Sequence, residues 1–270
     1  MLFLPLSLAV GFSMIASYVL SSTLLLVLAL IVFGAFVTEA IVGFGSTVLT
    51  VTLGAYVLGI DALLARFVPL NMLLSLMILA RSASLVEGRL LVTSVLPPVA
   101  LGMVPALLLA SHVTGSWLRL VFGLFVTALA LLELVRHLRE TNPSSAPLRP
   151  MVGRAMLVFG GVIHGLIGSG GPHIVYVLSR VHGSRGAQRA TLAALWLAMN
   201  AVLLATFVAH GKLTAATLHD SLWLLPSLAG GMIAGDVLHH RLPERPFRLL
   251  VYLVLLVAGG TLTARTMLGG

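Results

Sequence analysis

The chain contains no cysteine among its 270 residues. Disulfides, thiolate metal sites and thiol nucleophiles are therefore excluded. Charge is almost as scarce: only 9% of the residues are Asp, Glu, Lys or Arg, against about 25% in an average soluble domain. Acidic residues are the rarest, 8 against 16 basic ones, and the basic residues stand singly between apolar runs. No basic patch with interleaved aromatics is present, so a nucleic-acid partner is not expected. The nine histidines show no His-x-x-His or His-Glu-x-x-His spacing, and neither a metal site nor any other cofactor is expected.

What remains is apolar. Hydrophobic residues make up 59% of the chain and the mean hydropathy is +1.10, which no water-soluble packing accommodates. At about 20 residues per membrane span, the sequence predicts an all-α, polytopic membrane bundle of eight to ten spans. Residues 1–21 form an apolar segment without the basic start of a cleavable signal peptide. A short extra span, an interfacial helix or a stretch ahead of the true start all remain open for it.

Apolar runs between turn signals predict helices near 22–42, 46–58, 62–80, 90–111 and 116–136. A second set is predicted near 152–168, 172–181, 187–210, 216–238 and 246–266. The longest hydrophilic stretch, from Arg136 to Pro150, divides them. The expected organisation is a first repeat over 22–138, a linker over 139–151 and a second repeat over 152–268. The second and seventh predicted helices are too short to cross about 30 Å of hydrocarbon, and read as half-helices.

Both half-helices follow the same interruption. Glu39-Ala40-Ile41-Val42-Gly43-Phe44-Gly45-Ser46-Thr47 aligns with His164-Gly165-Leu166-Ile167-Gly168-Ser169-Gly170-Gly171-Pro172 at a shift of 125. Further on, Asn71 matches Asn200 and Leu118-Arg119-Leu120 matches Phe247-Arg248-Leu249 at 129, while Pro98 matches Pro226 and Gly102 matches Gly230 at 128. Broken backbone inside hydrocarbon is tolerated only where it is buried in protein or lines a cavity. Paired Gly-interrupted segments in two halves are the best sequence pointer to a transporter's site.

The charges predict how the halves are related. If all ten segments cross, one side holds Arg81, Arg89, Arg136, Arg139, Arg149, Arg154, Arg180, Arg185, Arg189, Arg241, Arg245 and Arg248. The other holds Arg66, Arg119, Lys212 and Arg265. The first side is expected to be cytoplasmic. Five crossings per half is odd, so the second repeat is expected to be inverted relative to the first.

A helix restarting at mid-membrane presents free N–H groups and a partial positive charge. Two such ends, at Ser46-Thr47 and at Gly171-Pro172-His173, point to an anion site. The candidate binding residues are Gly43, Gly45, Ser46, Thr47, Asn71, Gly168, Gly170, Gly171, His173 and Asn200. The alternative for the glycines is close helix packing, and for the two amides a bond across a helix interface worth about 0.6 kcal/mol. Glu39 and His164 stand at equivalent positions one turn before each break, and a charge there costs on the order of 3 kcal/mol on insertion scales. They are the candidates for proton coupling; the alternative is a paired or protonated Glu39 and a His164 bonded to a broken-helix carbonyl. Arg66 reads as an interfacial residue whose charge snorkels to the surface. Asp236, His239 and His240 read as a solvated helix end, and Gly102, Gly230 and Gly231 as packing glycines.

The double glycine motif, the short helices and the Asn-bearing helices resemble those of the sulfite exporter TauE/SafE family of membrane permeases. The Pro226…Gly230-Gly231…Gly235 helix ending in His240-Arg241-Leu242-Pro243 is similar too. The resemblance covers about residues 24–266. Ser46 and Thr47 stand where the family often has further glycines. It implies a secondary transporter in a bacterial cytoplasmic membrane, moving sulfite, a sulfonate or a related small organic anion by alternating access, with export as the implied direction. The expected partners are the bilayer, a small anion and protons, with further copies of the chain left open. The rival expectations are an intramembrane enzyme using Glu39, His164 and His173 as acid–base groups, and an anion channel. No nucleophile or metal motif accompanies those residues, so the protein is not expected to be an enzyme.

Overall fold

A computed structural model describes residues 20–42, 45–110, 115–138, 148–168, 171–181, 184–239, 241 and 244–268. Among these, all regular structure is helical. The first five helices are α1 Ser22–Val42, α2 Ser46–Gly54, α3 Ile60–Ser82, α4 Gly88–Ala110 and α5 Gly115–Leu138. The next five are α6 Pro150–Ile167, α7 Gly171–Ser179, α8 Arg185–Ala209, α9 Ala215–His239 and α10 Glu244–Met267. Eight of them are long and apolar enough to cross a membrane. The other two, α2 and α7, have nine residues each, about 14 Å at 1.5 Å per residue. They are the half-helices expected after the breaks.

The remaining irregularities follow from the residues present. Gly54 ends α2 because the chain turns tightly there: a Cβ at that position would meet Leu63 Cδ2 at 2.6 Å. In α4 a π-turn over Leu91–Val95 precedes Pro97 and Pro98, where two successive residues lack the N–H that an α-ladder needs.

Helix directions are readable from side-chain neighbours. On α5 and α10, Gly123 faces Thr263 while Gly259 faces Thr127, so these two helices run antiparallel. On α3 and α8, Lys212 just beyond α8 bonds Asp61 at the start of α3, and Glu87 beyond α3 bonds Thr191 near the start of α8. They are antiparallel as well. By contrast α1 and α9 run parallel, Gly231 against Phe33 and Phe36 and Gly235 against Val37 and Ala40. So do α4 and α6, where Gly161 meets Val99 and Gly165 meets Met103 and Ala106.

These relations fit one symmetry. Exchanging α1 with α6, α3 with α8, α4 with α9 and α5 with α10 turns the α1–α9 pair into the α6–α4 pair and maps the α3–α8 and α5–α10 pairs onto themselves. Equivalent helices are antiparallel, as an axis lying in the membrane plane requires. Leu20, Arg66 and Asp220, near the starts of α1, α3 and α9, also meet at one end of the bundle. With α1 and α3 starting from the same side, α2 and the turn after it lead the chain back towards that side.

The close crossings explain the packing glycines. Gly102 sits against the Val158 carbonyl and Gly161 against that of Val99. In the partner crossing, a Cβ on Gly231 would lie 2.6 Å from Phe33 O, and one on Gly235 would lie 2.7 Å from Val37 O. Backbones this close are the usual solution for helices that associate within lipid.

Candidate functional site

Each break is made by a glycine in the left-handed region. Gly45 has φ 108° and ends the gap before α2; Gly168 has φ 66° and closes α6, its N–H donating to His164 O at 2.7 Å. An L-residue with a Cβ is strained at such angles, which accounts for glycine at both positions. Gly43 and Gly170 lie outside the described residues.

The first break is closed by its own side chains. Ser46 N–H, the first donor of α2, points at Glu39 Oε2 at 3.2 Å. Asn71 from α3 donates through Nδ2 to Thr47 Oγ1 at 2.8 Å and accepts from Ser46 Oγ at 3.4 Å. Ser46 is buried, while Glu39, Thr47 and Asn71 are half-buried. Four residues named from the sequence thus form one hydrogen-bonded cluster, in which Asn71 joins α3 to the start of α2.

The second break is arranged differently. His164 is 2% exposed and Asn200, on α8, is 3% exposed. The two lie beside each other, yet neither ring nitrogen of His164 nor Asn200 Oδ1 has a hydrogen-bond partner among the described residues. The imidazole stacks on Trp196, ring centroids 6.0 Å apart and planes 13° from parallel. Gly168 is pressed against Leu64 of α3, a Cβ there meeting Leu64 Cδ2 at 2.9 Å. Gly171 opens α7. Half-buried His173, two residues on, has its ring 4.9 Å from that of Phe159 and 5.9 Å from that of Phe125.

One expectation needs correction. Arg66 does not snorkel: it is 1% exposed and its Nε donates to Asp220 Oδ2 at 2.8 Å. Asp236 is exposed as expected, while the His239 and His240 side chains lie outside the described residues. Asp220 is a polar group the sequence reading passed over. A lone acid in the second turn of an apolar helix was the available signal, because an unpaired charge there is costly. No group of three or more His, Asp or Glu residues suited to a metal occurs among the described residues.

Helices long enough to span, half-helices at two glycine breaks and inverted halves define a multi-pass helical membrane protein of the kind that transports solutes. The chain belongs to the sulfite exporter TauE/SafE family, whose family model matches residues 27–262. No curated protein and no solved structure matches it.

Proposed function

We propose that the protein is a secondary transporter that carries a small anion, sulfite or a sulfonate, across the cytoplasmic membrane by alternating access. The supporting observation is the pair of polar breaks at equivalent places in oppositely directed halves. Each joins a left-handed glycine, the N-terminus of a half-helix and an asparagine from the neighbouring long helix. N–H groups at a helix start attract anions, and here they sit in the bundle rather than at its ends. Gly43, Gly45, Ser46, Thr47 and Asn71 would serve one side of the solute path. Gly168, Gly170, Gly171, His173 and Asn200 would serve the other.

Rocking of one set of helices against the other would expose these groups alternately to the two sides. The inverted relation of the halves supports this, because exchanging the conformations of the two halves about the two-fold axis turns an inward-open state into an outward-open one. The arginine-rich face would lie in the cytoplasm. Glu39 and His164 are the groups available to carry a proton with the anion. The family membership favours transport over catalysis.

The test is flux of labelled sulfite into proteoliposomes of the purified protein, with and without an imposed proton gradient. Saturable flux competed by sulfonates is the expected result. Ohmic current that does not saturate would replace the carrier by a channel. No flux of sulfite, sulfonate or carboxylate would remove the proposal.

A further inference from the structure

We infer that the two breaks are not equivalent half-sites: the solute anion binds at the second, between His164, Asn200 and the start of α7, while Glu39 is the resident anion of the first. This rests on the anion-carrier reading and refines where the anion sits. The inference starts from a comparison that the repeat makes possible. Glu39 and His164 occupy the same repeat position, as do Asn71 and Asn200. In the first half, the carboxylate of Glu39 takes the leading N–H of α2, and both ends of the Asn71 amide are engaged by Thr47 and Ser46. Nothing in that cluster asks for a further anion.

In the second half the carboxylate is replaced by an imidazole, which cannot offer α7 a permanent negative charge. Both ring nitrogens of His164 and Oδ1 of Asn200 are sealed from solvent; the Asn200 amide approaches the imidazole, but no hydrogen bond of ordinary geometry reaches any of the three atoms among the described residues. The large majority of buried polar side-chain atoms are hydrogen-bonded, and an exception calls for an explanation such as a water or an ion. A small oxyanion supplies what is missing. One of its oxygens accepts from an imidazole N–H, and another would face the first turn of α7, which by the repeat stands to His164 as the start of α2 stands to Glu39; Gly171 and His173 carry N–H groups there and Pro172 carries none. An oxyanion bearing one proton, such as hydrogen sulfite, also donates to Asn200 Oδ1. The ligand class is therefore a small, singly charged, protonated oxyanion, one per chain.

Trp196, stacked on His164, reports on this place. Trp117 and Trp223 are each 62% exposed, so a protein carrying Trp117→Phe and Trp223→Phe keeps Trp196 as its one indole. The full chain in nanodiscs is titrated with sodium sulfite while Trp196 emission is read. A saturable response at one sulfite per chain is expected, with affinity falling at least tenfold in His164→Leu and in Asn200→Leu. His164→Glu copies the first break into the second and is expected to abolish the response. Should the leucine variants not fold, Asn200→Asp is nearly isosteric, places a carboxylate in the same spot, and is expected to give the same loss. Two sulfites per chain, or undiminished binding in His164→Glu or Asn200→Asp, overturns the inference. Sulfite flux with a Trp196 signal that is absent or indifferent to these residues overturns the half-site assignment alone. Absence of both flux and response overturns the carrier reading with it, whereas a response of the expected kind without flux supports the site and removes only the transport.

Discussion

Arg66 and Asp220 hold α3 to α9 through an ion pair of 2.8 Å whose side chains are 2% and 0% exposed. Asp220 Oδ1 has no hydrogen-bond partner among the described residues, but the rest of the pair is bonded. Arg66 Nη1 donates to Ala62 O at 2.9 Å, Ser221 Oγ donates to Arg66 O at 2.8 Å, and Leu20 N–H reaches Asp220 Oδ2 at 3.3 Å. At the shifts of 129 and 128 that relate the halves, the corresponding residues are Leu195 and Val92, both apolar. The bond therefore joins the two halves on one side of the axis only.

Removing one partner of such a pair leaves a buried charge uncompensated, which costs about 3–5 kcal/mol. Asp220→Leu is accordingly expected to lower the unfolding midpoint sharply. The double variant Arg66→Met, Asp220→Leu removes both charges and is expected to recover most of that loss. Thermal unfolding of the three proteins in one detergent checks this. A double variant no more stable than Asp220→Leu would contradict it.

The same pair marks what sequence could and could not give. Helix positions and the half-helices were legible, because apolar run length and glycine breaks are local properties. The internal repeat was legible because Asn71 and Asn200, or Pro98 and Pro226, recur at nearly constant spacing. Arg66 was misread because its partner is 154 positions away, and no periodicity announces such a pairing. The contrast between the two breaks was likewise hidden. The exchange of Glu39 for His164 was visible, but only coordinates show that the first cluster closes on itself and the second does not.

The break glycines offer a test of backbone strain at two positions with different surroundings. A Cβ at Gly45 would meet nothing within 4 Å, so Gly45→Ala adds only the strain of a positive φ, about 1–2 kcal/mol. At Gly168 the same change also drives the new methyl into Leu64 at 2.9 Å. Gly168→Ala is expected to be the more destabilising, and Gly168→Ala with Leu64→Ala is expected to regain part of the difference. Gly45→Asn, a residue more tolerant of left-handed backbone, is expected to cost less than Gly45→Ala. Unfolding midpoints of these variants decide it, and equal losses at the two glycines would be against it.

Orientation is open to a direct measurement because the chain has no cysteine of its own. Ser84, beyond α3 at the arginine-rich end, and Ala215, at the start of α9 near the opposite end, are both exposed. In right-side-out vesicles a membrane-impermeant maleimide is expected to label Ala215→Cys and to spare Ser84→Cys until the membrane is opened. Reversed labelling would place the arginines outside. Labelling of both from one side would undo the odd number of crossings per half.

Glu39 is the only carboxylate that touches either break among the described residues, through its contact with Ser46. That makes it the group whose neutralisation bears most directly on coupling. A proton on Glu39 cancels the resident negative charge at the start of α2, which lowers the repulsion felt by an anion entering the bundle at the second break. Anion entry and proton uptake would be linked for this reason, without any direct contact between them. Glu39→Gln keeps an oxygen that can accept from Ser46 N–H while fixing the side chain in a neutral form. Sulfite flux in this variant is expected to persist yet to lose its response to an imposed proton gradient. Flux that still rises several-fold with the gradient would take the coupling role from Glu39. His164 would then be the next group to substitute.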